Sequence, residues 1–469
     1  MSDPRLPHSP ARSAESLAAE LKQVIAAIRC EFTQRPSVST GVRAISFELP
    51  ACDLPAWLQH SAAYPKSYWH DRERTVEFGA VGNLTDWPDD EINTLSEVTK
   101  IEAALKTAAD PALPAVVVAG RFDEAAHHRG SDWRPFPDVW RQLPRFSVQR
   151  AGAKSTGTFV FPSDFAVNDA IAQAEHLLEE LIAPASPQQP PATLIQRRDR
   201  PDRVEWNDAC GYVLEEIKNQ NLSKAVLARR TELIFGDAVN PYDFLRWLGE
   251  SNQQVYRFLL SPRAGSAFVG ASPERLFQVQ GRKLSSEAVA GTVPRGPAPE
   301  TDDQLARLLL ESRKDNREHR FVVDGIAADL SPFCREITIA PEPEIVKLRR
   351  VQHLVSAIHA ELLPETTAAG ILTALHPTAA VCGTPRSESM LALRQLEPFD
   401  RGYYAGPVGI LQPDGAEFAV ALRSALVCDN RVILFAGAGI VAGSDPDLEW
   451  LELEQKLQAA LELLVGVKA

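Results

Sequence analysis

The sequence predicts an α+β fold: large antiparallel β-sheets packed as a sandwich, with helices on the outside. Three observations predict it. Short runs of alternating apolar residues outnumber helical segments along the chain. The links between those runs are hairpin-like, and βαβ units are few. The chain has 469 residues and 45% hydrophobic content, enough to bury a large core.

Composition narrows the partners. Basic residues number 49 and acidic residues 62, for a formal charge of −13. That balance argues against nucleic acid or an anionic membrane as the main partner, but not against an anionic small molecule, which responds to local charge. The six cysteines are scattered, with no C-x-x-C and no metal-finger spacing, and read as mostly buried thiols in a reducing compartment. The N-terminal MSDPRLPHSPARSAES lacks an apolar signal region. The most apolar stretch, 432–443, is shorter than the roughly 18–20 residues that cross a bilayer. A cytoplasmic protein without membrane association is expected.

The elements follow in order. Residues 1–14 are polar and Pro-containing, and predict a disordered N-terminus. Residues 15–182 read as an N-terminal α+β region of the same fold. It opens with a helix at 14–30 and a strand at 44–49. A hairpin follows, with Tyr68-Trp69 and residues 75–79 as arms around the charged turn 71–74. A helix at 89–108, a buried strand at 115–120 and a helix at 167–181 come next. Trp133, Phe136 and Trp140 read as core plugs. Residues 183–203 are Pro/Gln-rich and charged, and read as a linker or surface loop.

From 204 to 469 the pattern is denser. It predicts a helix at 208–219, a strand at Lys224–Phe235, and a four-strand antiparallel meander over 256–290. A long helix spans 302–330, with Glu311, Asp315 and Glu318 on one side. Helices at 351–362 and Ala368–Leu375 come before His376, and strands at 403–411 and 417–428 come after it. A last strand, 432–435, runs into a turn built on Gly437 and Gly439. Ser444-Asp445-Pro446 then starts a helix carrying Glu449, Glu452 and Lys456 on one face.

Two helices thus each present an acid pair three residues apart, Asp315/Glu318 and Glu449/Glu452. Facing each other, they offer the oxygen ligands that Mg2+ takes alongside water and substrate. Each face also reads as a solvated, salt-bridged surface. The Gly437-Ala438-Gly439 turn fails the dinucleotide fingerprint G-x-G-x-x-G, because its third glycine comes one residue late, at 443. Exposed N–H groups receiving a carboxylate fit it better. Lys224 opens an apolar strand and is a candidate base; Glu274, after Ser272-Pro273, is a candidate acid.

At these residues the chain resembles the chorismate-utilising enzymes, which include isochorismate, salicylate, anthranilate and aminodeoxychorismate synthases. The likeness covers about 203–464. It rests on Ser223-Lys224-Ala225-Val226, Ser272-Pro273-Glu274-Arg275-Leu276, Ala290-Gly291-Thr292 and the Ser312–His319 run. It continues through Leu375-His376-Pro377-Thr378, Tyr404-Ala405-Gly406, Leu422-Arg423-Ser424, Gly437-Ala438-Gly439-Ile440-Val441 and Glu449-Trp450-Leu451-Glu452. The N-terminal part resembles the long isochorismate synthases.

The resemblance implies the following roles. Lys224 stands where water-adding members carry lysine and ammonia-using members usually carry glutamine. It would deprotonate the water that attacks C2 of chorismate. Glu274 would protonate the departing C4 hydroxyl, giving isochorismate. Glu318 and Glu452 would be the principal Mg2+ ligands, with Asp315 and Glu449 beside them. Arg423 would bind a substrate carboxylate, helped by Tyr404, Lys456 and the backbone of Ala438-Gly439. Gly291, Thr292 and His376 would line the ring pocket. Isochorismate formed this way would serve menaquinone, siderophore or salicylate-derived products. Salicylate synthase, which also eliminates pyruvate, shares Lys224 and Glu274. Lys224 argues against an amine-transferring subunit, so no glutaminase partner is expected, and Ala290 argues against aminodeoxychorismate synthases with a lysine nucleophile there. Ala379 and Cys382 depart from the usual family pattern.

Overall fold

The computed structural model describes residues 14–34, 41–84, 87, 91–108, 110–126, 131–181, 193–251, 254–347 and 351–465. The disordered N-terminus expected over 1–14 therefore lies outside the described residues, apart from Ala14, which begins a helix reaching Gln34.

Among these residues the strands form two sheets, and every recorded pairing is antiparallel. The larger sheet has twelve strands. Its middle runs Lys66–His70, Tyr256–Arg263, Ser266–Ser272, Ser424–Cys428, Arg431–Val441 and Lys224–Phe235. The second sheet has nine strands, with Val351–Leu362, Lys283–Pro294, Arg275–Gln280, Gly415–Val420, Pro407–Gln412 and Val116–Gly120 in sequence across it. N-terminal strands enter both sheets, and the buried apolar side chains of both halves form one cluster. Trp133 and Phe136 are indeed plugs within it, 2% and 1% exposed, with ring centroids 5.4 Å apart. No described helix is long and apolar enough to cross a membrane.

Several predicted elements need correction. The proposed meander over 256–290 is two hairpin pairs in different sheets: the chain leaves the large sheet at Ser272 and joins the other at Arg275. Residues 417–428 likewise divide into Gly415–Val420 and Ser424–Cys428, one in each sheet. Residues 351–362 form a strand, not a helix; burial alternates at Leu354, Ser356, Ile358, Ala360 and Leu362, the period of two that a strand imposes. The helix expected over 302–330 is two helices. Ser312, with ψ 115°, ends the first, and its Oγ caps the next through Asp315 N. Glu311 is therefore on a different helix from Asp315 and Glu318.

Other boundaries shift for local reasons. The helix expected from 89 is Thr99–Ala108, preceded by a 3-10 turn at Leu95–Val98. Part of the 183–203 linker, residues 183–192, lies outside the described residues. Leu194–Arg200 is a strand paired with Lys224–Phe235. Asp202 then starts the next helix early, at Arg203, because its carboxylate accepts the Val204 and Glu205 N–H groups at 2.9 and 3.0 Å. Finally, Gly437 and Gly439 sit within the strand Arg431–Val441, not in a turn. Lacking side chains, they leave the ladder intact but open space beside it.

Candidate active site

A cavity of about 150 Å³ lies where the two chain crossings meet the two acidic helices. Every predicted site residue borders it except Ala438 and His376.

Lys224 is the first residue of its strand and is 1% exposed. Its Nζ lies 3.0 Å from Glu318 Oε1. The neighbouring strand makes room for this pair: Gly439 faces Val226, and a Cβ on Gly439 would fall 2.6 Å from Glu318 Oε1 and 3.0 Å from Lys224 Cε. Glycine here is a requirement of close approach.

The same strand shows why Ala438 does not border the cavity. Val226 and Ala228 point their N–H groups away from it, to Cys382 O at 2.8 Å and Glu397 Oε1 at 2.9 Å. Alternation then gives Ala225 and Leu227 the ladder bonds, so their partners Ile440 and Ala438 are the hydrogen-bonded positions. The Ala438 N–H is consumed in the sheet. Gly437 and Gly439 direct their backbone groups the other way, and Gly437 O accepts from Lys456 Nζ at 2.8 Å.

Glu274 sits in the crossing between the sheets, 7% exposed. Burial, reinforced by the charge of Glu287 and opposed by Lys224 and Lys456, pushes its carboxyl up to about 8. It therefore holds a proton near neutral pH. Arg423 occupies the other crossing with φ of +47°, and its Nη1 donates to Lys456 O at 2.9 Å. Burial holds its pKa below the ordinary guanidinium value. Tyr404 stacks on Phe435 at 5.1 Å, and burial pushes its phenol up to about 12, so it is a neutral donor.

Gly291 has φ of +83° and stands at the bulge where the pairing shifts between Ala290 and Thr292. The next residue, Thr292, pairs Oγ1 with His353 Nδ1 at 2.8 Å. His353 borders the cavity but escaped the sequence reading, because 351–362 read as a helix. In sequence the period-two signal there is weak, because Ser356 interrupts the apolar series Leu354, Ile358, Ala360 and Leu362. Burial, with the charges of Arg423 and Lys456, pushes it down to about 3, leaving a neutral imidazole. His376 is elsewhere: its Nε2 lies 3.2 Å from Arg121 O and 3.1 Å from Phe122 O, tying its helix end to the N-terminal half. Burial pushes it down to about 4.

The four proposed metal residues gather at the cavity, and their all-oxygen character suits a hard divalent cation. Three of the carboxylates face lysines: Glu318 with Lys224, Glu449 with Lys314 at 3.0 Å, and Glu452 with Lys456 at 2.5 Å. Asp315 accepts from the Ser312 hydroxyl. Among the described residues no three His, Cys, Asp or Glu side chains converge as a ligand cluster. Burial, opposed by Lys314, raises Glu449; for Glu452 burial acts upward too, but Lys456, Lys314 and Arg423 outweigh it and the net shift is down. Oxygen donors of this kind are those Mg2+ takes, though in this structure each is engaged by a partner within the protein.

Comparison with known proteins follows this geometry. A sequence model of the family described as chorismate binding enzyme matches residues 27–465. A Haemophilus influenzae protein named isochorismate synthase MenF is 31% identical over 97% of this chain and 99% of its own. A Pseudomonas aeruginosa protein named salicylate biosynthesis isochorismate synthase is 32% identical, covering 90% of each chain. The solved structure of MenF, the menaquinone-specific isochorismate synthase from Escherichia coli, superposes with a TM-score of 0.82 at 30% identity, over 95% of this chain and 99% of that one.

Proposed function

The chain belongs to the chorismate-binding enzymes, and from that premise we propose that it converts chorismate to isochorismate. One observation carries the reading: a buried lysine and a buried glutamate, whose carboxyl burial pushes up to about 8, open into one cavity that also holds Arg423 and Lys456 for an anionic substrate. Lys224 takes a proton from water as the oxygen attacks C2. The ring double bonds shift, and the C4 hydroxyl leaves with the proton of Glu274. One water enters and one leaves, so substrate and product are isomers. Arg423, Lys456 and the inward backbone of Gly439 hold the carboxylates and orient the ring. Glu318 and Glu452, with Asp315 and Glu449, would hold Mg2+, which supplies charge neutralisation for a dicarboxylate when bound. The reaction needs no glutaminase partner, and we place it in the cytoplasm.

Incubation of the protein with chorismate and Mg2+ tests the activity. Isochorismate alone is the expected product. Salicylate and pyruvate, formed without a second enzyme, would assign it instead as a salicylate synthase. Replacing Lys224 by Ala should lower kcat by about 10²–10⁴-fold while the fold persists by circular dichroism. Full activity in that variant removes Lys224 as the base.

A further inference from the structure

The tip of the Lys66–His70/Val76–Val81 hairpin contacts the crossing that carries Glu274. It is a rigid tip. Asp71 is 5% exposed, and its Oδ1 accepts the Thr75 and Val76 N–H groups at 2.8 and 3.0 Å. Asp71 and Arg74 close the turn through backbone bonds, with Arg74 at φ of +59°. This leaves Arg72 and Glu73 at the apex, against the crossing that carries Glu274.

The two side chains grip that crossing from both sides of Glu274. Arg72 Nη1 donates to Pro273 O at 3.0 Å, and its fork engages Glu287, with Nη2 2.9 Å from Oε2. Glu287 Oε1 also accepts the Arg275 N–H at 3.1 Å. Glu73 takes Arg275 Nη2 at 2.6 Å. The residues before and after Glu274 are thus both tied to the hairpin. A second cavity of about 390 Å³ lies behind, bordered by Arg72 and Glu287. Pro273, Val289 and His353 border both cavities, so the crossing is a thin wall and the Arg72–Glu287 pair braces its far side.

We propose that the Arg72–Glu287 ion pair is a positioning device for the Glu274 carboxyl, supplied to the catalytic half of the chain by the N-terminal hairpin. The proposal rests on the reading of Glu274 as proton donor. A planar guanidinium fork fixes a carboxylate in direction as well as distance, which a lysine does not. The pair also sets the local charge. The charged groups facing Glu274 are Glu287 on the strand Lys283–Pro294, Lys224 across the cavity and Lys456 from the last helix, with the neutral Tyr404 nearby. Glu287 is the one anion among them, and Arg72 is its counter-ion.

Steady-state kinetics with chorismate and Mg2+ across pH test this on the full chain. Activity that needs a protonated Glu274 declines on an alkaline limb. Glu287→Gln removes the facing anion, so the limb should move to lower pH. Arg72→Ala leaves that anion without its partner, so the limb should move to higher pH, each by roughly one unit. Both variants should lose about tenfold in kcat, with KM changed less than about twofold. Arg72→Lys, which keeps charge and fold, should hold the limb in place with part of kcat restored. Limbs that stay fixed or move the same way in both variants, or a KM that rises in step with the kcat loss, overturn the proposal. Glu274→Gln separates the two readings: the alkaline limb should disappear in it. A limb that persists there rejects Glu274 as the donor, independently of what the Arg72 and Glu287 variants do.

Discussion

Glu274 and Arg423 occupy adjacent crossings between the two sheets, and the crossings are hydrogen-bonded to each other. Val420 N donates to Glu274 O at 3.1 Å, and Ala271 N donates to Arg423 O at 3.2 Å. Ser272 Oγ adds a bond to Val420 O at 2.5 Å. Main-chain bonds therefore set the distance between the proposed proton donor and the proposed carboxylate anchor. Because both residues lie outside the regular ladders, their side chains are free to enter the cavity between the sheets.

That placement gives Glu274 its protonation, and with it a cost. The native carboxyl titrates at about 8 instead of 4.5. Between those values the unfolded chain releases a proton that the native state keeps. Stability attributable to this residue therefore falls as pH rises through the window, by about 1.4 kcal/mol per unit. Glu274→Gln should lower kcat by about 10²–10⁴-fold. In urea titrations it should also be more stable than the parent near pH 8, by a few kcal/mol (on the order of 2–5), and equal to it below about pH 4. Identical stability at both pH values would show that the carboxyl is not held protonated.

Gly439 is a test of close approach. Its missing side chain lets Glu318 Oε1 and Lys224 Cε pack against the strand. Both are ends of flexible side chains, so Gly439→Ala should fold but push the pair out of place. A kcat loss of about 10–100-fold, with a melting temperature close to the parent's, is the expected result. Unchanged kinetics would mean that the position of this pair is unimportant for turnover.

Glu452 offers a test of the metal. Burial acts to raise its carboxyl, but Lys456, Lys314 and Arg423 hold it below the usual glutamate range, and Lys456 pairs with it at 2.5 Å. Glu452→Gln removes one anionic oxygen ligand and should weaken Mg2+ binding by roughly tenfold or more, read by calorimetry on the protein alone. An unaltered Mg2+ isotherm would take Glu452 out of the ligand set.

The amino-acid sequence by itself determined much of the inventory. It carried the α+β class, the strand Lys224–Phe235, the helix Ala368–Leu375, and Lys224, Glu274 and the four carboxylates as candidates that border the cavity. The elements follow from local periodicity, and the residue roles from the resemblance of short runs to the chorismate-utilising enzymes. Tertiary structure decided how those pieces meet. Alternating apolar residues report that a strand is half-buried, but not which sheet receives it, so the crossings at Glu274 and Arg423 were invisible. Residues 351–362 carried too little local contrast to separate strand from helix, and His353 went unseen with them. Gly437 and Gly439 looked like a turn because glycine is permissive. Only pairing with the Lys224–Phe235 strand makes them an open stretch of sheet beside Lys224. Ala438 and His376 were placed at the pocket by the family resemblance, whereas neither borders the cavity here: Ala438 is taken up by strand pairing and His376 by the Arg121 and Phe122 carbonyls.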